Sequence, residues 1–341
     1  MTQQRYAIIA PGRNEAKYMR RTLDSLVSQS IRPTLLVIVD DGSTDESPAI
    51  LAEYAAKYDW IRVLTRKDRG RRSVGPGVIE AFNEGLATIS LDHFEYVCKL
   101  DLDLALPPRY FELLMARMQA DPRLGTVSGK AYYPSRSNRA EDFDGELIRE
   151  ESGDEMTVGM TKFYRVACFK QIGGFVREVM WDGIDCHRAR MLGWHVYSTD
   201  EKALRFIHLR PMGSSQGNIW KGRKRHGFGQ WFMGTGILFM TASAIYRLPK
   251  QPVIVGSLAI YLGYLESMVK GLPRYGDANF RRFLGRYQFE SLLLGKRRAT
   301  ARAEARSADN WNPHAPAAFR ILPSDGESAQ KAASQPPVPS Q

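Results

Sequence analysis

Short apolar runs alternate with helical patterns along the first hundred residues, and this alternation limits the possible folds more than any other feature of the chain. The pattern predicts strands over residues 6–10, 35–39, 61–64 and 96–100 and helices over residues 16–29, 46–58 and 78–87. The run over 35–39 contains only leucine and β-branched residues, which is typical of a strand buried on both faces. Strands and helices at this spacing pair in parallel through right-handed crossovers, so we predict a three-layer α/β fold with a mixed, mostly parallel sheet.

Polar residues follow three of the predicted strands. Residues 11–15 read PGRNE after the first strand, Asp40 and Asp41 follow the second, and Asp101 and Asp103 follow the strand that ends at Leu100. Because ligands of such sheets bind at the carboxyl ends of the strands, these groups are expected to line one crevice.

Asp101 and Asp103 are two residues apart, so both carboxylates lie on one side of an extended backbone and can hold one cation. Carboxylate oxygens suit Mg²⁺ or Mn²⁺, and these ions often keep positions open for the phosphates of a substrate. Turn formation or helix capping would explain each acidic cluster equally well when that cluster is considered alone.

Composition restricts the class of protein. A chain of 341 residues with 43% hydrophobic residues can bury a large core in one or two domains. Its three cysteines are widely spaced, which favours a reducing compartment and no structural zinc. The first 16 residues lack the basic start and apolar core of a secretory signal.

The net charge of +11 is concentrated in one region. Residues 202–306 contain nineteen Lys and Arg against four Asp and Glu, whereas the residues before them are slightly acidic overall. This distribution argues against nucleic acid as a partner and favours an acidic surface that contacts one part of the chain.

The combination of three motifs resembles family 2 glycosyltransferases. These motifs are residues 11–15 (PGRNE), 39–45 (VDDGSTD) and 101–103 (DLD), in that order, and the similarity extends over roughly residues 5–200. The resemblance implies the GT-A fold, which binds nucleotide sugars and has two subdomains.

The resemblance also implies roles for individual residues. The donor-binding residues that it indicates are Pro11, Asn14, Glu15, Asp41, Arg69 and Asp101. Asp41 is expected to accept a hydrogen bond from the base, Asp101 to lie near the ribose and pyrophosphate, and Asp103 to bind Mg²⁺ or Mn²⁺ together with Asp101. The loop over residues 69–77 is longer and richer in arginine than is usual in the family. Which arginine meets the phosphates therefore stays open, with a solvated basic loop as the alternative.

A second acidic segment, residues 181–185 (WDGID), begins a predicted helix that ends at Gly193. The family places a Glu-Asp pair here, and Trp181 replaces the glutamate. By the resemblance, Asp182 is expected to be the general base, with Asp185 in reserve, although acids in a first helical turn are also favoured by the helix dipole alone. His208 follows the apolar pair Phe206-Ile207, which favours a buried core histidine, although some family members place a histidine near the metal.

The last third has a different character. Residues 231–246 and 253–268 form two apolar runs of 16 residues each, shorter than the ~20 residues that a helix needs to span a bilayer. We predict a helical hairpin with basic flanks that lies on or enters the membrane surface, with packing on the enzyme core as the alternative. The predicted division is a catalytic domain over 1–204, a basic helical region over 205–300 and a disordered tail over 301–341.

The sequence therefore predicts an inverting, metal-dependent glycosyltransferase at the cytoplasmic face of a membrane. It would move one sugar from a nucleotide diphosphate donor to a hydroxyl acceptor, lipid-linked or a polysaccharide precursor. Single transfer is expected because the chain lacks the Gln-x-x-Arg-Trp motif of the processive synthases. The alternatives are a nucleotidyltransferase, although residues 11–15 are not a Gly-rich loop with a lysine, and a non-catalytic membrane-bound polysaccharide assembly protein, which only the Trp181 replacement supports.

Overall fold

The computed structural model describes residues 5–70, 75–134, 147–210, 219–249 and 253–319. The strands are β1 (Tyr6–Gly12), β2 (Leu35–Asp40), β3 (Ile61–Thr65), β4 (Tyr96–Leu100), β5 (Leu104–Ala105), β6 (Leu124–Ser128), β7 (Ala131–Pro134), β8 (Leu147–Arg149), β9 (Thr161–Arg165), β10 (His195–Ser198) and β11 (Phe206–His208). The helices are α1 (Ala16–Val27), α2 (Ser47–Lys57), α3 (Pro76–Ala87), α4 (Tyr110–Ala120), α5 (Val166–Gln171), α6 (Trp181–Met191), α7 (Ile219–Met233), α8 (Ile237–Arg247), α9 (Val255–Val269), α10 (Ala278–Leu294) and α11 (Lys296–Arg306).

The central sheet has the strand order β10-β6-β9-β4-β1-β2-β3. Strands β1 to β4 pair in parallel with one another, β10 pairs in parallel with β6, and β9 is antiparallel to both β4 and β6. Alternate residues of β1 face opposite layers: Ile8 belongs to the apolar cluster that contains Leu23 of α1, and Ile9 belongs to the one that contains Phe82 of α3. The predicted mixed, mostly parallel three-layer α/β fold is confirmed.

A smaller second sheet, in the order β5-β11-β7-β8, differs from the sequence prediction. The apolar segment over 125–133 predicts one strand, but it forms β6 in the central sheet and β7 in the small one. The break falls at Gly129, where an added Cβ would lie 1.8 Å from the carbonyl oxygen of Leu204. Pairing of β11 with β5 places His208 opposite Leu104, next to Asp103.

The C-terminal helices also begin and end at different places from those predicted. The apolar run over 231–246 is interrupted after α7, where Gly234 has a φ of +99° that favours glycine. The hairpin consists of α8 and α9, and α9 also packs closely on α7. At that crossing, an added Cβ on Gly263 would lie 2.2 Å from the carbonyl oxygen of Lys224. Within the described residues, no helix is both long and apolar enough to cross a membrane.

The regular structure continues beyond residue 301, where the sequence predicts disorder. Helix α11 ends at Arg306, and the Trp311 ring packs edge-on against Trp194 at a centroid distance of 5.9 Å. Residues 320–341 of the predicted tail lie outside the described residues. The domain boundary at residue 204 stays a prediction, and the strand that follows it, β11, joins the small sheet of the catalytic region.

Candidate active site

A cavity of about 550 Å³ opens at the carboxyl ends of β1, β2 and β4. This size falls within the range that small-molecule ligands occupy, roughly 300–1,000 Å³. Six predicted site residues line the cavity: Pro11, Glu15, Asp41, Asp101, Asp103 and Asp182. Cationic residues line it as well, namely Arg13, Lys99, His208 and Arg210.

The Asp41 carboxylate is held by two arginines. Arg66 Nη1 lies 2.5 Å from Asp41 Oδ1, and Arg69 Nη2 donates to Asp41 Oδ2. Gly42, the next residue, has a φ of +71°, and a Cβ there would lie 2.5 Å from the Cα of Asp68. A side chain after Asp41 would therefore push the 66–70 segment away from the cavity, which explains the need for glycine at this position.

Asp103 is surrounded by an ion cluster from distant parts of the chain. Arg210 Nε lies 2.6 Å from Asp103 Oδ2, and Arg210 Nη2 donates to Glu15 Oε1 at 2.8 Å. His208 Nε2 lies 3.4 Å from Asp103 Oδ2. Burial alone would raise the pKa of Asp103, but the His208 hydrogen bond and the Arg210 charge lower it. Asp103 is therefore anionic, as a cation ligand must be.

Glu150 fixes the orientation of His208 from the other side. His208 Nδ1 lies 2.6 Å from Glu150 Oε1, and both side chains are buried. Because an ionised carboxylate only accepts hydrogen bonds, Nδ1 donates to Glu150 and Nε2 donates to Asp103, so both ring nitrogens carry a proton. Burial lowers the pKa of His208, but its bonds to Asp103 and Glu150 outweigh this effect and raise the pKa to about 9.

Asp101 pairs with a lysine of the same strand. Lys99 Nζ donates to Asp101 Oδ1 and, at 3.0 Å, to the carbonyl oxygen of Gly159. Burial raises the pKa of Asp101, while the Lys99 charge opposes that shift. The lysine ties β4 to the segment that leads into β9 at the floor of the cavity.

Asp182 lies in the first turn of α6 and lines the cavity. Met180 precedes the helix with a φ of +70°, and Lys162 Nζ donates to the carbonyl oxygen of Asp182 at 2.6 Å. The carboxylate lies against Gly159, where an added Cβ would come within 2.8 Å of Asp182 Oδ2. Burial raises the pKa of Asp182, so it is more basic than an exposed aspartate and better suited to accept a proton.

Trp181 lines the cavity beside Asp182. Lys99 Nζ lies 5.2 Å from the centroid of its ring and Lys162 Nζ lies 5.6 Å from it. These distances allow cation–π attraction, so the indole interacts favourably with two buried ammonium groups, as a carboxylate at this position would.

A known protein family matches the part of the chain that contains Asp41, Asp101 and Asp103. Residues 7–173 match the model of glycosyl transferase family 2. These residues belong to glycosyl transferase family 2.

Curated relatives of this glycosyl transferase domain include two polymer synthases. Over 142 residues, 42% of this chain and 18% of the relative, it is 30% identical to the chondroitin synthase of Escherichia coli. Over 125 residues, 37% of this chain and 28% of the relative, it is 27% identical to the poly-beta-1,6-N-acetyl-D-glucosamine synthase of Staphylococcus epidermidis. The matched part is thus less than a third of the length of either relative.

The fold is also found among solved structures. The crystal structure of S. aureus TarS aligns over 90% of this chain and 55% of that chain, with a TM-score of 0.51 and 16% identity. This similarity concerns the fold alone and agrees with the GT-A architecture predicted from the motifs.

Three predicted site residues, Asn14, Arg69 and Asp185, do not line the cavity. Asn14 instead joins two loops, since its Oδ1 accepts from the Thr44 backbone at 2.8 Å. Arg69 contacts the cavity only through Asp41, with which it pairs. The candidates Arg71 and Arg72 lie outside the described residues.

Asp185, the reserve base, requires a correction. Its carboxylate is 1% exposed, accepts from Lys162 Nζ at 2.5 Å and from the Tyr164 hydroxyl at 2.6 Å, and does not line the cavity. Asp185 lies three residues after Asp182 on α6. Its contacts with Lys162 and Tyr164 of β9 show that its carboxylate faces the central sheet rather than the cavity. Its position is that of a buried charge with its partner, so it is not available to an acceptor.

The predicted site residues did not include the cationic cavity residues Arg13, Lys99, His208 and Arg210, nor Glu150, which bonds to His208. His208 was expected in the core, and it is buried, but it faces Asp103, the aspartate that the sequence predicts to bind a metal. A sequence signal did exist, because His208 and Arg210 are two residues apart at a strand end, as Asp101 and Asp103 are. Glu150 had no such signal, since it lies within a polar stretch, residues 134–153, that has no periodicity.

The described residues fit a divalent cation that the protein would share with its substrate. No set of three or more His, Cys, Asp or Glu side chains that could hold a metal occurs in the described ranges. Asp103 Oδ1, however, is a buried oxygen without a hydrogen-bond partner. Mg²⁺ in nucleotide enzymes commonly takes one or two protein ligands and completes its shell with phosphate oxygens and water. Asp103 Oδ1 supplies one such ligand, and His208, which donates from Nε2 to Asp103 Oδ2, holds that carboxylate in place.

Proposed function

We propose that this protein is an inverting, metal-dependent glycosyltransferase that transfers one sugar from a nucleoside diphosphate donor to a hydroxyl of a glycan or lipid-linked acceptor. The observation that carries the proposal is a single cavity that combines Asp41, Asp103, Arg210 and Asp182. The polymer-synthase relatives support a carbohydrate acceptor. We propose the cytoplasmic face of a membrane as the place of reaction.

The donor would bind along the carboxyl ends of β1, β2 and β4. Asp41 would accept a hydrogen bond from the base, and its two arginine partners hold its carboxylate in place. The diphosphate would lie beside Arg210 and Lys99. The positive charge of Arg210 is paired with Asp103, and that of Lys99 is paired with Asp101. Asp103 and Asp101 would hold Mg²⁺ or Mn²⁺, and His208 would orient Asp103 by donating a hydrogen bond to its Oδ2. When bound, such an ion neutralises charge on the departing diphosphate.

Asp182 would act on the acceptor. As the acceptor oxygen attacks the anomeric carbon, the bond from that carbon to the diphosphate oxygen breaks, and the acceptor proton passes to Asp182. Attack from the face opposite the leaving group inverts the anomeric centre. Burial of Asp182 supports this role, because it raises the basicity of the carboxylate without removing it from the cavity.

Incubation with a panel of radiolabelled nucleotide sugars, a divalent cation and lipid or glycan acceptors tests the proposal. The expected result is release of a nucleoside diphosphate with transfer of label, abolished in Asp103→Ala and by excess chelator. Circular dichroism checks that this variant is folded, because Asp103 is buried and pairs with His208 and Arg210. Conversion of the nucleotide sugar and added inorganic pyrophosphate into a nucleoside triphosphate and a sugar 1-phosphate would indicate a nucleotidyltransferase instead. The absence of any donor turnover would indicate a non-catalytic assembly role.

A further inference from the structure

Helix α9 has two sides of opposite character. One side packs on α7 through small residues such as Gly263, and its buried members recur at helical spacing: Gly256, Ile260, Gly263 and Ser267. The other side carries Ile254, Leu258, Leu262 and Val269, also at helical spacing, and all four are exposed. Leu258 is 47% exposed and Val269 is 83% exposed. This side is therefore an apolar stripe directed away from the enzyme.

Helix α8 continues this exposed apolar surface. Leu238 and Ile245 lie two turns apart on one side of α8 and are 72% and 63% exposed. Helices α8 and α9 form the hairpin, joined by contacts such as the bond from Ser257 Oγ to the carbonyl oxygen of Ala244. We call the six residues Leu238, Ile245, Ile254, Leu258, Leu262 and Val269 the hairpin face. A water-soluble surface rarely exposes so many large apolar side chains together.

Charge indicates what covers the hairpin face. Residues 237–246 contain no charged residue, and the one acid of α9, Glu266, is paired with Lys224 at 2.5 Å and with Lys270 at 2.7 Å. The surrounding segment, 202–306, carries nineteen Lys and Arg against four Asp and Glu. Two copies of such a segment would repel each other in a dimer, whereas anionic lipid headgroups complement it.

We infer that the hairpin face is a membrane-docking surface that lies in one leaflet of an anionic bilayer, with exposed basic residues beside it, such as Lys270, at headgroup level. None of the helices in the described ranges is suited to span, so the face would rest at the interface. The inference deepens the proposed function, on which it rests for its purpose: docking would hold the cavity beside a lipid-linked acceptor.

Vesicle sedimentation of the full chain tests docking without any sugar donor. We expect binding to vesicles of phosphatidylcholine with phosphatidylglycerol that high salt weakens but does not abolish. Leu258→Asp combined with Leu262→Asp should reduce binding about tenfold or more, since carboxylates resist burial in lipid. Leu147→Asp, at a comparably exposed leucine of β8, is the matched control and should bind as the wild type does.

A second measurement keeps the test decisive if the double variant does not fold. All three native cysteines are buried, so a fluorophore can be attached selectively to Leu262→Cys, with Leu147→Cys as control. An environment-sensitive dye at 262 should brighten and shift to the blue with anionic vesicles, whereas at 147 it should not.

Three results would overturn the inference. These are wild-type protein that ignores vesicles, binding that salt removes completely, and a dimer in solution that the double variant separates. Asp182→Asn should sediment as the wild type does. Absence of sugar transfer by the wild-type protein together with intact vesicle binding would count against the proposed function and not against docking.

Discussion

At the scale of single residues, the assignment of chemical roles depends on which acid lies in the cavity. Asp182→Asn keeps the shape but cannot take a proton, so turnover should fall about 10²-fold or more with donor affinity nearly unchanged. In the wild type, activity should fall as the pH drops through the raised pKa of Asp182, because the base is active only when deprotonated. Steady-state kinetics over a pH series, together with donor titrations, check both expectations.

Asp185→Asn serves as the contrasting variant. It removes the charge that faces Lys162 in the core, so it should lower the melting temperature rather than act on chemistry alone, because an unpaired buried charge is costly. If Asp185→Asn abolished turnover with an unchanged melting temperature, while Asp182→Asn stayed active, the assignment of the base would be wrong.

Glu150 should matter through His208. Glu150→Ala frees the imidazole to rotate and change tautomer, so Mn²⁺ affinity, measured by electron paramagnetic resonance of free Mn²⁺, should weaken about 10- to 100-fold. Glu150→Gln can still accept from Nδ1–H and should weaken it less. Glu53→Ala, which removes a surface acid paired with Arg20, is the control for loss of charge. Unchanged Mn²⁺ affinity in a folded Glu150→Ala protein would contradict this role.

The sequence predicted the cavity residues that follow the parallel strands, but not those that the small sheet supplies, and the difference has a physical reason. Asp41, Asp101 and Asp103 follow buried strands whose apolar runs are visible in the sequence, and parallel pairing brings such strand ends together. His208 and Arg210 reach the same place through the pairing of β11 with β5, a long-range contact that no local pattern specifies. Glu150 depends in turn on the position of His208.

At the scale of elements, glycines set the distance between α7 and α9. Gly263→Ala would place a methyl group 2.2 Å from the carbonyl oxygen of Lys224, so the two backbones must separate. Overpacking of this kind typically costs about 1–3 kcal/mol, and we expect a lower melting temperature by calorimetry. Gly285→Ala in α10 is the matched control, since an added Cβ there meets no atom within 4 Å and should be neutral or stabilising.

The boundaries of these helices were predictable only in part. Apolar composition over 231–268 was sufficient to predict a helical hairpin, but the turn at Gly234 depends on a positive φ that composition does not reveal.

An unchanged melting temperature in Gly263→Ala would mean that α7 and α9 do not meet as closely as described.

At the scale of the whole molecule, the chain combines a nucleotide-sugar fold with a basic helical region. The alternation of strands and helices was sufficient to predict the three-layer sheet, because burial on both faces requires continuous apolar strands. The small sheet was not predictable, since β5, β7, β8 and β11 are short and pair across large sequence separations. Through β11, this second sheet brings His208 and Arg210 to the cavity.

Calorimetric titration of nucleoside diphosphates into the full chain with Mn²⁺ tests the central claim most directly, which is that this cavity binds a nucleotide diphosphate with a shared cation. UDP or GDP should bind at one site, binding should weaken about tenfold or more with chelator or in Asp103→Ala, and Asp182→Asn should leave it unchanged. Failure of both nucleotides to bind, or equal affinity with Mn²⁺, with chelator and in Asp103→Ala, would contradict the claim.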